Sequence, residues 1–398
     1  MPLNPDRNLI LALVAQNENQ SLLKASELLA NDFSRRGYQT SIFDMHAPNS
    51  GKRLLQVLKE GQVAFAFAFA GVGARFSIPD GTNLWTAAHV PFVALWHDHP
   101  SYNYRQHIVD SSYIVHCYHV LDHLEARQKH LPPSSSRSTL LSITYDMYGE
   151  SYRPAWAQRN REILFAKTGS SPDAWAEAWK QQPSTLQKIL WALAEQAKRD
   201  RNIDLTDAAL TLFEAQRFPT NDLDTLMSVI QEVDGYVRSW RSDRLVRALL
   251  PHPAHIVGSG WDYLKSEKRR ADFFDSIPTH DFLGWATHYR ILANTNPLWR
   301  HGIHERTSLG MCYGAVTLTD RTIKSDYLYG GLPNYAGFEW DDDLEDVIGS
   351  ALRLADDNDA DYFSAAEKTL KERQPNAIDY VLQIEAAVEE VRRSAGST

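Results

Sequence analysis

A chain of 398 residues is longer than one hydrophobic core ordinarily serves, which predicts two domains with room for a smaller third unit. With 43% hydrophobic and 23% charged residues it is globular in composition. No run approaches the ~20 apolar residues that cross a bilayer, and MPLNPDRNLILALVA at the start lacks the marks of a secretory signal, so a cytoplasmic location is expected. A net charge of −9 without a basic run argues against a nucleic-acid partner, and two cysteines, Cys117 and Cys312, suggest neither a disulfide framework nor a zinc site.

Residues 8–15 form an apolar run that suits a buried parallel strand, and residues 22–33 repeat apolar side chains at helical spacing. A strand at 40–43 and a helix near 52–59 lead to VAFAFAFAG, a central strand whose Gly71 opens a Gly-Val-Gly loop. Strands at 91–96, 113–117 and 139–143 follow. This βα alternation predicts a Rossmann-like domain over residues 1–150. AQNENQ stands after the first strand in place of GxGxxG, which argues against a dinucleotide-dependent dehydrogenase.

Open α/β sheets bind ligands at the carboxyl ends of their strands, so His97, Asp98 and His99, just beyond Trp96, are candidate catalytic groups. Any of the three could serve as general base toward a hydroxyl; a purely structural histidine pair is the competing reading. Gly71, Gly73 and Arg75 form a second group at the same edge, where the glycines either make a turn or let a ligand approach the backbone.

From 151 to 250 the pattern is helical throughout, with Trp175, Trp179, Leu186, Ile189, Leu190 and Leu193 at three- and four-residue spacing, and predicts a helical insert. A second sheet, over residues 251–350, is expected to begin at 254–257. That strand runs into Gly258, Ser259, Gly260 and Trp261, where a glycine turn exposes backbone N–H groups to a diphosphate or nucleoside. Residues 281–285 and 289–295 continue the alternation. Lys324 adds a positive charge beyond the next strand, an acidic run at 341–345 precedes a helix at 347–354, and helices over 360–371 and 377–393 fill the C-terminal part.

Residues 299–320 read WRHGIHERTSLGMCYGAVTLTD. Arg306 and Thr307 stand where a helix begins, Gly314 stops it, and residues 315–319 have strand composition. Unpaired N–H groups at the helix start and the fork of Arg306 together suit phosphate oxygens. Pairing of Arg306 with a surface carboxylate is the alternative.

The pattern HxxHER, a helix, then Gly-Ala-Val-x-Leu-Thr-Asp resembles the donor-binding segment of the CgeB-like glycosyltransferases, of the two-Rossmann GT-B superfamily. The resemblance implies that Arg306, with His304, Glu305 and Thr307 at the helix start, holds the diphosphate of a nucleotide-sugar. It implies that the strand ending at Gly258 and Gly260 opens the donor domain and that Trp285 lies near the nucleobase; Lys324, by its charge alone, could stand near a leaving diphosphate, with solvated surface as the alternative. Many relatives carry a ribose-binding glutamate in the helix; Leu309 occupies that place here, with Glu305 the nearby carboxylate. The implied reaction is metal-independent transfer of a sugar from a nucleotide-diphosphate donor to a hydroxyl on a protein, glycan or lipid precursor, with no further cofactor. A nucleotide-sugar epimerase of the same architecture and a non-catalytic sugar-nucleotide or glycan-binding subunit stand as alternatives.

Overall fold

The computed structural model describes residues 7–15, 20–142, 153–357, 368–370, 372–373 and 377–395. The chain divides into two compact units, Met1–Gly149 with Pro375–Thr398, and Glu150–Gln374. No helix among the described residues is long and apolar enough to cross a membrane.

In the first unit six strands, β1 Leu9–Val14, β2 Gln39–Asp44, β3 Val63–Phe69, β4 Phe92–Trp96, β5 Ile114–Tyr118 and β6 Arg137–Leu140, form a parallel sheet in the order β2-β1-β3-β4-β5-β6. Helices α1 Ser21–Arg35, α2 Ser50–Lys59, α3 Leu84–Ala88, α4 Tyr104–His107 and α5 Leu121–His130 lie between them. The alternation in VAFAFAF sorts side chains by size across the sheet. Phe65, Phe67 and Phe69 pack with Leu29 and Phe33 of α1, whereas Ala66 and Ala68 face the opposite layer and leave room for Trp85 and Trp96.

In the second unit β7 Asn160–Ala166, β8 Ala254–Val257, β9 Asp272–Phe274, β10 Tyr289–Asn294, β11 Val316–Asp320 and β12 Tyr335–Phe338 form another parallel sheet, ordered β12-β11-β10-β7-β8-β9. The first strand is central, and the order reverses between β7 and β10. Helices α6 Pro172–Trp179, α7 Ser184–Arg199, α8 Leu205–Ala215 and α9 Leu223–Leu249 connect β7 to β8; α10 Thr279–Ala286, α11 Glu305–Cys312, α12 Ile323–Tyr329 and α13 Leu344–Asp357 follow. Leu245, Val246 and Leu249 of α9 and Ile348, Ala351 and Ala355 of α13 cover Ile163, Phe165, Ile256, Ile291 and Leu318.

One expectation changes. The segment 151–250 is not helical throughout: it contains β7, the central strand, and its helices are the crossover within the second unit. The polar start Asn160-Arg161-Glu162 leaves too short an apolar run for strand β7 to stand out from the helical pattern around it. Residues 281–285 belong to α10. The C-terminal helix, α14 Ala377–Ala395, belongs to the first unit. There Tyr380, Val381, Ile384, Val388 and Val391 join the phenylalanine layer, and Arg36 donates to both oxygens of Glu385 at 3.1 and 2.7 Å. The helix expected over 360–371 and the end of the strand at 143 lie largely outside the described residues.

Candidate functional site

Where the order of a parallel sheet reverses, neighbouring connections leave in opposite directions and open a crevice above the carboxyl ends. In the second unit this point lies between β7 and β10, and side chains from four elements meet there. Arg306, in the first turn of α11, donates from one arm to the carbonyl of Ala166, the last residue of β7. Its other arm lies 2.8 Å from Nε2 of His304, the N-cap residue. The Nδ1 of the same ring accepts the Arg306 backbone N–H at 3.3 Å and lies 3.0 Å from Glu305 Oε2.

Lys167 follows β7 directly. Its ammonium donates to Thr295 Oγ1 at 2.7 Å, beyond the end of β10. Burial, then the nearby charges of Arg306 and Arg238, push its pKa down to about 7. Two cationic side chains thus stand at the reversal, beside the N-terminus of α11.

Beneath them a buried network holds the loop that joins β10 to α11. Asp320 ends β11; its Oδ1 accepts the Asn296 backbone N–H at 2.6 Å and its Oδ2 accepts the Trp340 indole N–H at 3.1 Å. Arg241 of α9 pairs with the same carboxylate at 3.4 Å. Burial raises the Asp320 pKa, against the pull of Arg241. The Asn296 side chain donates to the Asp320 carbonyl at 2.6 Å and accepts the backbone N–H of His304 at 3.2 Å. A continuous chain of contacts therefore runs from Arg241 through Asp320 and Asn296 to His304 and Arg306.

The remaining expected donor-side residues divide. Thr307 is fully buried, and its hydroxyl accepts from Asn294 at 3.2 Å, tying α11 to β10. Gly258 and Gly260 have φ of +145° and +81°, and a Cβ on either would lie 2.2 Å from the carbonyl of Lys167 or Gly169. They let the loop after β8 run against the loop after β7. The Gly258 N–H is spent on Phe274 O at 3.0 Å, so it is not open to a diphosphate. Trp285 stands half-buried on α10, edge-on to Phe274 at 5.6 Å. Lys324, in the first turn of α12, is half-buried, and burial lowers its pKa. Leu309 packs into the interior.

In the first unit His97 follows β4, its ring stacked on His119 at 4.0 Å and on Phe69 at 5.7 Å. Burial pushes its pKa down to about 4, so the imidazole is neutral at pH 7. His119 donates from Nδ1 to Trp96 O at 3.0 Å and accepts the Tyr380 hydroxyl at Nε2 at 2.6 Å, which fixes the surface on which His97 rests. His99 accepts the Ser101 N–H at 3.2 Å and caps the short helical turn Pro100–Asn103. Asp98 is exposed. Sequence reasoning missed Lys167, Asn296, Asp320 and His119; only the strand ending at Ala166 could have pointed to Lys167.

No protein-family model matches the chain, and no curated protein does. Solved structures match along its length. An α-glucosyltransferase in complex with UDP-glucose and DNA containing an abasic site matches with TM-score 0.52 at 9% identity, over 96% of this chain and 99% of that one. The DNA-modifying β-glucosyltransferase matches with TM-score 0.53 at 8% identity, over 96% and 99%. Anabaena HepE in complex with UDP and glucose matches with TM-score 0.53 at 12% identity, over 96% and 100%. The chain has the fold of these glycosyltransferases: two parallel six-stranded sheets flanked by helices, the GT-B architecture expected from the sequence.

Proposed function

We propose that the protein is a glycosyltransferase, of the kind its 299–320 segment resembles, moving a sugar from a nucleoside-diphosphate donor to a hydroxyl acceptor. The observation that carries this reading is the meeting of Arg306 and Lys167 at the β7/β10 reversal, beside the N-terminus of α11. Two cationic side chains at one crevice, beside the positive end of a helix, match a diphosphate. As the glycosidic bond breaks, negative charge grows on the departing diphosphate, and positive charge held beside it lowers the barrier. The similar solved structures hold UDP or UDP-glucose, which makes UDP the first donor nucleotide to test.

His97 is the group we assign as base toward the acceptor hydroxyl, because its neutral ring can take a proton at pH 7. His99 is committed to its cap and supports the loop. The acceptor is a hydroxyl on a protein, glycan or lipid precursor.

Thermal-shift titration with UDP, GDP, CDP and TDP, on the wild type and on Arg306→Ala, tests the reading. We expect one nucleotide to stabilise the wild type by about 2.7 kcal/mol at a hundredfold excess over its dissociation constant, and the variant far less. Failure of every nucleotide to bind would sink it. Binding without turnover in any acceptor mixture would move the assignment to a non-catalytic subunit.

A further inference from the structure

The loop after β3, residues 70–75, lies at the β1/β3 reversal of the first sheet and has no part in the reading above. Its carbonyls are tied to the protein. The Gln106 amide donates to the carbonyls of Ala70 and Gly71 at 3.0 and 2.8 Å. The Trp85 indole N–H donates to Gly73 O at 2.9 Å, and the Asn83 amide donates to Ala74 O at 2.8 Å.

The N–H groups are left over. Among the described residues the backbone N–H groups of Gly71, Gly73 and Arg75 have no acceptor, although Gly71 is buried. Buried N–H groups without partners are rare in native folds. Gly71 and Gly73 have φ of +60° and +92° with a negative-φ residue between them. The N–H groups of Val72 and Ala74 donate back to Phe69 O and Gly71 O at 3.5 and 2.9 Å, which leaves every second N–H of the loop unspent. Both positions exclude a side chain, since a Cβ would lie 2.3 Å from the Trp96 ring or 2.8 Å from Leu13 Cδ1. Arg75, the next cation, is exposed and makes no ion pair among the described residues.

We propose that this loop is a phosphate site of the first unit, formed by the N–H groups of Gly71, Gly73 and Arg75 together with the Arg75 guanidinium, and that it takes a phosphate group carried by the acceptor. The acceptor assignment rests on the glycosyltransferase reading; the site itself does not. His97 stacks on Phe69, the residue just before the loop, so the assigned base and the phosphate site share one edge of the first sheet.

The test follows the amide resonances of Gly71, Gly73 and Arg75 in the full chain during titration with inorganic phosphate. Sodium chloride at matched ionic strength and sodium acetate are the controls. We expect saturable shifts with phosphate, undiminished in Arg306→Ala and roughly tenfold weaker in Arg75→Gln, the loss of one charge-assisted contact. In transfer assays phosphate should compete with the acceptor and not with the donor. Shifts no larger than those in chloride, or shifts that disappear in Arg306→Ala, overturn the site. Equal response to acetate overturns the phosphate assignment in favour of a carboxylate. Phosphate shifts in a protein that binds no nucleoside diphosphate overturn the acceptor assignment alone.

Discussion

Lys167 has an ammonium that burial and the guanidinium groups of Arg306 and Arg238 make easy to deprotonate, with a pKa near 7 instead of 10.5. Its charge is present below about pH 7 and lost above it, so UDP affinity should fall as pH rises from 6 to 8. Lys167→Met should flatten that profile in isothermal titration. The same depression has the opposite sign for folding. Between about 7 and 10.5 the unfolded chain binds the extra proton, so this group's contribution to stability rises with pH across that window. Arg306→Ala should lower kcat for donor turnover by roughly a hundredfold, the scale of one lost transition-state contact. Arg306 was legible in the sequence because HER precedes a short helix. Lys167 was not, because its environment is created by β10 and α9 folding around it.

Helix α11 depends on a loop held from below. Asn296→Ala removes the acceptor for the His304 N–H and the donor to Asp320, and should cost about 1–3 kcal/mol in urea denaturation. UDP affinity should fall along with it, since Arg306 is positioned through His304. Gly260→Ala places a Cβ against Gly169 O at a left-handed φ, and a loss of about 1–3 kcal/mol or more is expected from the same measurement. The sequence reading saw these glycines as ligand contacts. The structure uses them to pass one loop over another, a role set by strand neighbours that are distant in the chain.

At the scale of the molecule, α14 completes the first unit from the far end of the sequence. Each of its buried side chains contributes about 1.5–3 kcal/mol by burial. A chain ending at residue 374 should therefore lose the unfolding transition of the first unit, while residues 150–374 alone should fold and bind UDP. Acid should act on the first unit as well. His97 and the fully buried His116 have pKa values pushed down to about 4 and about 3 by burial. The unfolded chain takes up these protons near 6.5, so stability is complete above that pH and falls by about 1.4 kcal/mol per unit for each group as pH drops toward 4. Urea denaturation at pH 7 and pH 4.5 measures this directly.

The sequence by itself determined the parallel strands of the first unit, the α11–β11 unit and the candidate arginine, because each is written in a contiguous run of apolar spacing, cap residues and glycine stops. Only the tertiary structure decided that β7 is the centre of the second sheet, that α14 returns to the first, and that Lys167, Asn296 and Asp320 surround Arg306. Those relations join residues more than a hundred positions apart in some cases, and no local pattern records which strands become neighbours.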